Sequence, residues 1–390
     1  MKITNIQAVS LKYNYKEPIA DGCTPCSARG SVIVIVETDS ELFGIGEAAT
    51  FGADVRVMKT IIELQLKPLL IGENPLNIEM LWNKMVWRNW SSGRRGMIMG
   101  GISGIDIALW DLLGKVAKMP LYQLLGANTQ SVLGYASAGF YAKDKTLEDL
   151  KREMESYAKS GFTAFKMKIG CVNDILCSPH RYMNGESHKL KMEQDICRIE
   201  CVREAIAKED LLMLDMNGTW NVGDVLKNQS VFEENNIYFI EEPIRSDNIT
   251  GYCELTSKLE KTMVAGIESE QGLSRYRELL DLGAIDIVQA NIGWAGGITG
   301  GKQIASLALA HNKLFVPHTF FSAVLNTVNV HMAASYSNVP FVECELNENP
   351  LRTEMLKNPL EVDDNANIWL NDKPGLGIEI DWDKMNQYII

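Results

Sequence analysis

Eight short apolar runs, most of them separated by an amphipathic helical stretch, constrain this chain more than any other feature. They are VLGYASA (132–138), AFKMKIG (164–170), LLMLDMNG (211–218), IYFIEEP (237–243), MVAGIES (263–269), IDIVQAN (285–291), KLFVPHT (313–319) and FVECEL (341–346). Continuous apolar runs of this kind suit parallel strands buried on both faces. Eight such units point to a (β/α)8, TIM-type barrel in preference to an open doubly wound sheet. An open sheet would carry a glycine-rich phosphate turn after its first strand, and GxGxxG is absent there. The N-terminal third reads differently. Residues 1–50 alternate like paired strands in KITNIQAVSLKY, SVIVIVETD and LFGIGEA. The stretch from about 54 to 125 is helical, with Ile102, Ile105, Ala108, Leu109, Leu112 and Leu113 on one stripe until Pro120 breaks it. The expected α/β architecture is therefore a modified barrel over 129–365 with an N-terminal α+β capping domain over 1–128. The last segment, 366–390, contains PGLGIEIDWDKM and reads as a strand-rich tail packing back on the capping domain. Residues 171–192 form an unusually long connection after a barrel strand, placed to lie over the barrel mouth with His180, Arg181 and Tyr182.

The ends of these runs are polar. Lys166 and Lys168, Asp215 and Asn217, Glu241 and Glu242, Glu268 and Glu270, then Asn291, His318 and Glu343 close successive strands. In a barrel all these ends converge on one face, where active sites are built. Solvation or helix capping explains any one of them, but not seven strands ending this way together. Alternation puts Lys166 and Lys168 on the same side of their strand, with Met167 pointing the other way. Lysines in a low-dielectric mouth cost several kcal/mol each unless paired, and the neighbouring carboxylates supply that pairing. Asp215, Glu241 and Glu268 end three successive strands, 26 and 27 residues apart. Three carboxylates with no cysteine or histidine among them make a hard oxygen site suited to Mg²⁺. Glu268 and Glu270 share a face, so the choice between them stays open. Lysines on one side, His318 on the far side and a divalent cation between them suit removal of a weakly acidic proton next to a carboxylate. Lys168 is expected to be the base, its pKa depressed by the charge of Lys166.

Composition excludes several alternatives. A net charge of −12 and the absence of a basic patch argue against a nucleic-acid partner. No run approaches the ~20 apolar residues needed to span a bilayer. The first residues, MKITNIQAVSLKY, have no signal-peptide apolar region and read as a strand, so a cytoplasmic protein is expected. Cys23 and Cys26 form a lone CxxC without a second pair, and Cys197 and Cys201 are expected to share the buried face of a helix.

Taken in order, "GIDIALWDLLGK", the KxK of "FKMKIG", "LDMNG", "IEEP", "AGIESE", "GGIT", "VPHTF" and "PGLGIEID" resemble the enolase superfamily, specifically the mandelate racemase/muconate lactonizing enzyme family. The resemblance runs essentially end to end. It implies Asp215, Glu241 and Glu268 as Mg²⁺ ligands, Lys168 as base on one face with Lys166 as helper, and His318 as acid/base on the other. It implies Glu343 as the group that hydrogen-bonds the substrate carboxylate. The lactonizing and dipeptide-epimerase branches carry a lysine on the sixth strand. "IDIVQAN" has none, so the racemase-like branch fits better. One position departs from the family pattern: Asn291 stands where an aspartate normally supports the histidine. His318 is therefore expected to be less basic, largely neutral at pH 7, and oriented by the amide oxygen of Asn291. The readings that follow are an acid-sugar dehydratase first, then a racemase, epimerase or sugar-lactone cycloisomerase, then a sugar-acid-binding protein that has lost turnover. The substrate partner is a small-molecule carboxylate, and a homo-oligomer is expected. Specificity is assigned to residues 17–30 and 89–101 of the capping domain, with Asn217, Arg94 and Arg95 as substrate contacts; the two arginines are equally accounted for by solvation or subunit contacts.

Overall fold

The computed structural model describes residues 1–170 and 188–390. Three antiparallel strands, β1 (Ile3–Ala20), β2 (Pro25–Thr38) and β3 (Phe43–Ala48), form the capping sheet. β1 and β2 are long enough for their connecting turn to project well beyond β3. The helix Met97–Ala117 packs across this sheet. Its approach is close because β3 carries glycine: a Cβ on Gly46 would lie 2.2 Å from the carbonyl oxygen of Gly104. That helix is long and apolar enough by composition to cross a membrane, contrary to the sequence expectation. However, 78% of its apolar window is buried inside the protein, so it is a core helix.

The barrel begins with β4 (Ser131–Ala138). A two-residue strand, β5 (Tyr141–Ala142), leaves it to pair with the far end of β1. β6 (Ala164–Lys168), β7 (Leu211–Asp215), β8 (Ile237–Glu241), β9 (Met263–Gly266), β10 (Ile287–Val288), β11 (Leu314–Phe315) and β12 (Phe341–Glu345) follow. All pair in parallel, in the order β11-β10-β9-β8-β7-β6-β4-β12, and β11 and β12 flank the one seam without a ladder. All eight expected strands are present. Closure is visible in the packing: Tyr135, Ala164, Met213, Phe239, Ala265, Ile287, Val316 and Phe341 meet in a single apolar cluster, one from each strand or its end. This cluster plugs the barrel, as barrel interiors are packed rather than hollow.

The tail differs from expectation. Its strand content is limited to β14 (Asn367–Trp369), which with β13 (Glu361–Val362) extends the barrel sheet from β4. The PGLGIEID stretch has no strand and continues into a short helix, Trp382–Met385. Tight turns at Gly375 and Gly377 preclude a ladder there. The tail does pack on the capping domain: Leu121 N donates to Gly375 O at 2.8 Å, and Ile390 N to Ser10 O at 3.0 Å. Cys197 is exposed and Cys201 half-buried, so this pair is not core as expected, because the helix turns Asp195, Arg198 and Ile199 inward instead. His180, Arg181 and Tyr182 lie outside the described residues.

Candidate active site

Moving two residues along each strand from the apolar plug replaces carbon with polar atoms. Ala164 is followed by Lys166, Met213 by Asp215, Phe239 by Glu241, Ile287 by Gln289, Val316 by His318 and Phe341 by Glu343. The alternation that turns the plug inward turns these side chains inward as well. All six are buried.

The charges are paired across neighbouring strands. Lys168 stands opposite Asp215 in the β6–β7 register, and its Nζ donates to Asp215 Oδ2. Lys166 Nζ bonds Glu241 Oε2 at 2.6 Å and Glu343 Oε1 at 2.8 Å. Gln289 Nε2 donates to the same Glu241 oxygen at 2.7 Å. Asp215 Oδ1 accepts from the backbone N–H of Asn217 at 3.0 Å. Burial opposes the charge on Lys168, but Asp215, with Glu241 and Asp21 behind it, prevails and raises the pKa. The sequence expectation of a depressed pKa is thus overturned, because Asp215 holds the proton more strongly than Lys166 repels it. Lys166 is likewise held charged by Glu241 and Glu343 against burial. Glu241 is pushed up to about 8 by burial and by the charge of Asp215. Burial pushes Glu343 up too, but Lys166 and His318 prevail and hold it at about 2.

On the opposite wall, His318 Nε2 lies 3.0 Å from Glu268 Oε2. Asn291 Nδ2 lies 2.9 Å from His318 Nδ1 and 3.5 Å from the His318 carbonyl oxygen. The nitrogen end of the amide thus faces two acceptors, and rotating it would set an oxygen against a carbonyl. Asn291 supports the ring through its amide nitrogen, not its oxygen as expected. In the neutral ring this arrangement makes Nδ1 the acceptor and leaves the proton on Nε2, facing Glu268. Burial lowers the His318 pKa, but the charge and hydrogen bond of Glu268 overcome this and raise it. This departs from the expectation of a largely neutral ring, because Glu268 supplies a charge that Asn291 does not. Asp286 points away, to Lys313 Nζ at 2.7 Å.

The structure also separates the two glutamates of "ESE". Glu268 faces the cavity, while Glu270 pairs with Arg275 at 3.3 Å. Among the described residues, no three His, Cys, Asp or Glu side chains converge as a ready-made metal cage. The carboxylates of Asp215 and Glu241 are instead turned to the lysines, and that of Glu268 to the histidine. Two observations nevertheless fit a hard cation. The donors are all oxygen, and Glu241 Oε1 and Glu242 Oε1 are buried without a partner among the described residues. Glu242, at φ 38, is raised well above the usual carboxylate range by burial and then by Glu268.

Above these groups lies a cavity of about 710 Å³, roofed by the capping domain. Lys168, Asn217, Glu268 and His318 line its barrel side. Its capping side comes from residues 21–30, within the expected specificity segment, and from residues 50–56, which the sequence did not suggest. Phe51, at φ 44, stacks on His318 with ring centroids 5.9 Å apart. Arg94 and Arg95 are exposed and outside the cavity lining, contrary to expectation. Their segment instead docks through Gly96 and Gln271, which bond each other's backbone and side chain. Glu343 is turned to Lys166 and to Thr319 N, 2.9 Å away, and does not line the cavity. Gln289 was missed although its parity with Ile287 placed it beside the carboxylates. Phe51 carries no local signal.

Comparison with known proteins matches two family models, the mandelate racemase/muconate lactonizing enzyme N-terminal domain over residues 3–126 and the enolase C-terminal domain-like model over residues 149–384. Arabinonate dehydratase of Saccharolobus solfataricus is 34% identical over 88% of this chain and 87% of its own length. D-galactarolactone cycloisomerase of Agrobacterium fabrum is 29% identical over 100% of this chain and 99% of its own. The crystal structure of the 3,6-anhydro-D-galactonate cycloisomerase from Zobellia galactanivorans superposes over the full length of both chains with a TM-score of 0.87 at 29% identity.

Proposed function

The chain belongs to the mandelate racemase/muconate lactonizing enzyme family of the enolase superfamily, and from that premise we propose that it is an acid-sugar dehydratase. The observation that carries this reading is that Lys168, Glu268 and His318 line one cavity from opposite walls. Members of the superfamily use Mg²⁺. Asp215, Glu241 and Glu268 are the residues that would hold it here, and the bound cation supplies positive charge to an enediolate. Lys168 becomes a base once Asp215 no longer serves as its counter-ion. It then takes the proton α to the substrate carboxylate, and the charge of Lys166 beside it favours the neutral amine that this step needs. His318 in its imidazolium form faces the same space and gives its Nε2 proton to the departing β-hydroxyl, which leaves as water while the ring becomes neutral. The enol product tautomerises to a 2-keto-3-deoxy acid. Asn291 and Phe51 hold the imidazole in that orientation.

The test is a screen of aldonates and aldarates with Mg²⁺, read by semicarbazide trapping of the 2-keto product. Formation of a semicarbazone by the native enzyme and not by Lys168→Ala supports the reading. A second reading, cycloisomerisation or epimerisation, is favoured by the full-length match to two cycloisomerases. Deuterium entering the α position in D₂O without a new carbonyl would replace the first reading by the second.

A further inference from the structure

The turn between β1 and β2 is seated directly on the ends of β6 and β7. Gly22 N donates to Asn217 Oδ1 at 3.4 Å. The contact is so tight that a Cβ on Gly22 would lie 2.5 Å from Ile169 O and 2.8 Å from Met216 O. This seat fixes the preceding residue, Asp21, in the cavity wall that also contains Lys168. Asp21 Oδ1 is occupied by its own turn, accepting from Cys23 N at 2.7 Å and Thr24 N at 2.6 Å. Among the described residues, Oδ2 has only the Thr24 hydroxyl, at 3.4 Å. A rigidly held carboxylate therefore presents one acceptor oxygen to the cavity.

The cations on the same capping wall are already engaged or lie at its edge. Arg29 is buried, lies 3.6 Å over the Phe320 ring and pairs with Glu345 at 3.4 Å. Arg56 pairs with Asp54 at 2.5 Å, and Lys12 is exposed at the rim. Among the described residues no free buried cation on that wall would offset a second substrate carboxylate meeting Asp21, whereas a hydroxyl chain offers hydrogen-bond donors. We propose that Asp21 is a specificity-determining residue that accepts a hydroxyl of the substrate chain, so that the cavity selects acid sugars with one carboxylate over those with two. This rests on the reading of the cavity as an acid-sugar site.

Like charges placed together in a binding site cost enough to shift affinity by about tenfold or more. The native enzyme with Mg²⁺ is therefore expected to use an aldonate about tenfold better than the aldarate of the same configuration, judged by kcat/KM. Asp21→Asn keeps an oxygen for the turn and removes only the charge. It should lower the aldarate KM, raise the aldonate KM and so collapse the preference. Asp21→Ser, which also supports a turn, guards against a folding defect of the first variant. Thermal stabilisation by each acid in the presence of Mg²⁺ reads the same preference without turnover. Equal use or equal stabilisation by both acids in the native protein overturns the proposal, as does an unchanged ratio in both variants. Failure of the dehydratase reading is a different result: no semicarbazone from any acid, while the stabilisation ratio still decides the role of Asp21.

Discussion

Lys168 keeps its proton because its carboxylate partner is 0% exposed and directly opposite in the ladder. Removing the amine should therefore cost catalysis more than stability. Lys168→Ala is expected to lower kcat by about 100- to 10,000-fold, the usual worth of a general base, with KM little changed; steady-state kinetics on any accepted acid sugar check this. Glu241→Gln should abolish turnover while circular dichroism stays native, since Lys166 retains Glu343 at 2.8 Å. Asn291→Asp brings an anion to a position where the amide now lies 2.9 Å from Nδ1. Opposite charge favours the protonated ring, so the His318 pKa should rise further. The limb of the pH–rate profile that needs protonated histidine should move to higher pH. A limb that stays in place would show that residue 291 does not act through the ring.

At the scale of elements, the β1–β2 hairpin is a lever from the capping sheet onto the barrel. Its length carries the turn past β3, and its fit depends on a missing side chain at Gly22. The atoms a methyl group would meet there are backbone carbonyls of β6 and β7 strand ends, which cannot move without moving Lys168. Gly22→Ala is expected to destabilise by about 1–3 kcal/mol, the usual cost of overpacking. It should also raise KM several-fold by lifting Asp21 and Asn217 off their seats. Thermal unfolding together with KM measures both.

At the scale of the whole molecule, buried carboxylates fasten the capping domain to the barrel. Glu47 of β3 accepts from Ser322 N at 3.1 Å and Leu325 N at 2.9 Å, and Asp106 of the long capping helix accepts from Thr299 N at 2.9 Å and Thr299 Oγ1 at 2.6 Å. Burial pushes Asp106 up to about 7 from an ordinary 3.8 despite these bonds. The folded state thus binds the proton more readily than the unfolded state, and stability falls as pH rises between these two values. The expected loss is roughly 4 kcal/mol by linkage. Melting temperatures of Asp106→Asn and the native protein should therefore diverge in favour of the variant from about pH 4 to about pH 7. Parallel curves would show that Asp106 does not titrate in this range.

What the sequence determined here is local. A strand alternates with period two, so an apolar plug residue and the polar residue two positions on must face the same way. That was enough to place Lys166, Asp215, Glu241, His318 and Glu343 inside the barrel. The order of strands followed from the repeat. What only the tertiary structure decided depends on contacts between distant segments, which leave no periodic trace. Asn217 meets Gly22 across 195 residues, and Ser322 meets Glu47 across 275. The partner of each lysine, the pairing of His318 with Glu268, and the exposure of Arg94 and Arg95 are of this kind. Each is set by which surfaces the barrel and its cap bring together, and charge type alone does not choose among several buried carboxylates at similar depth.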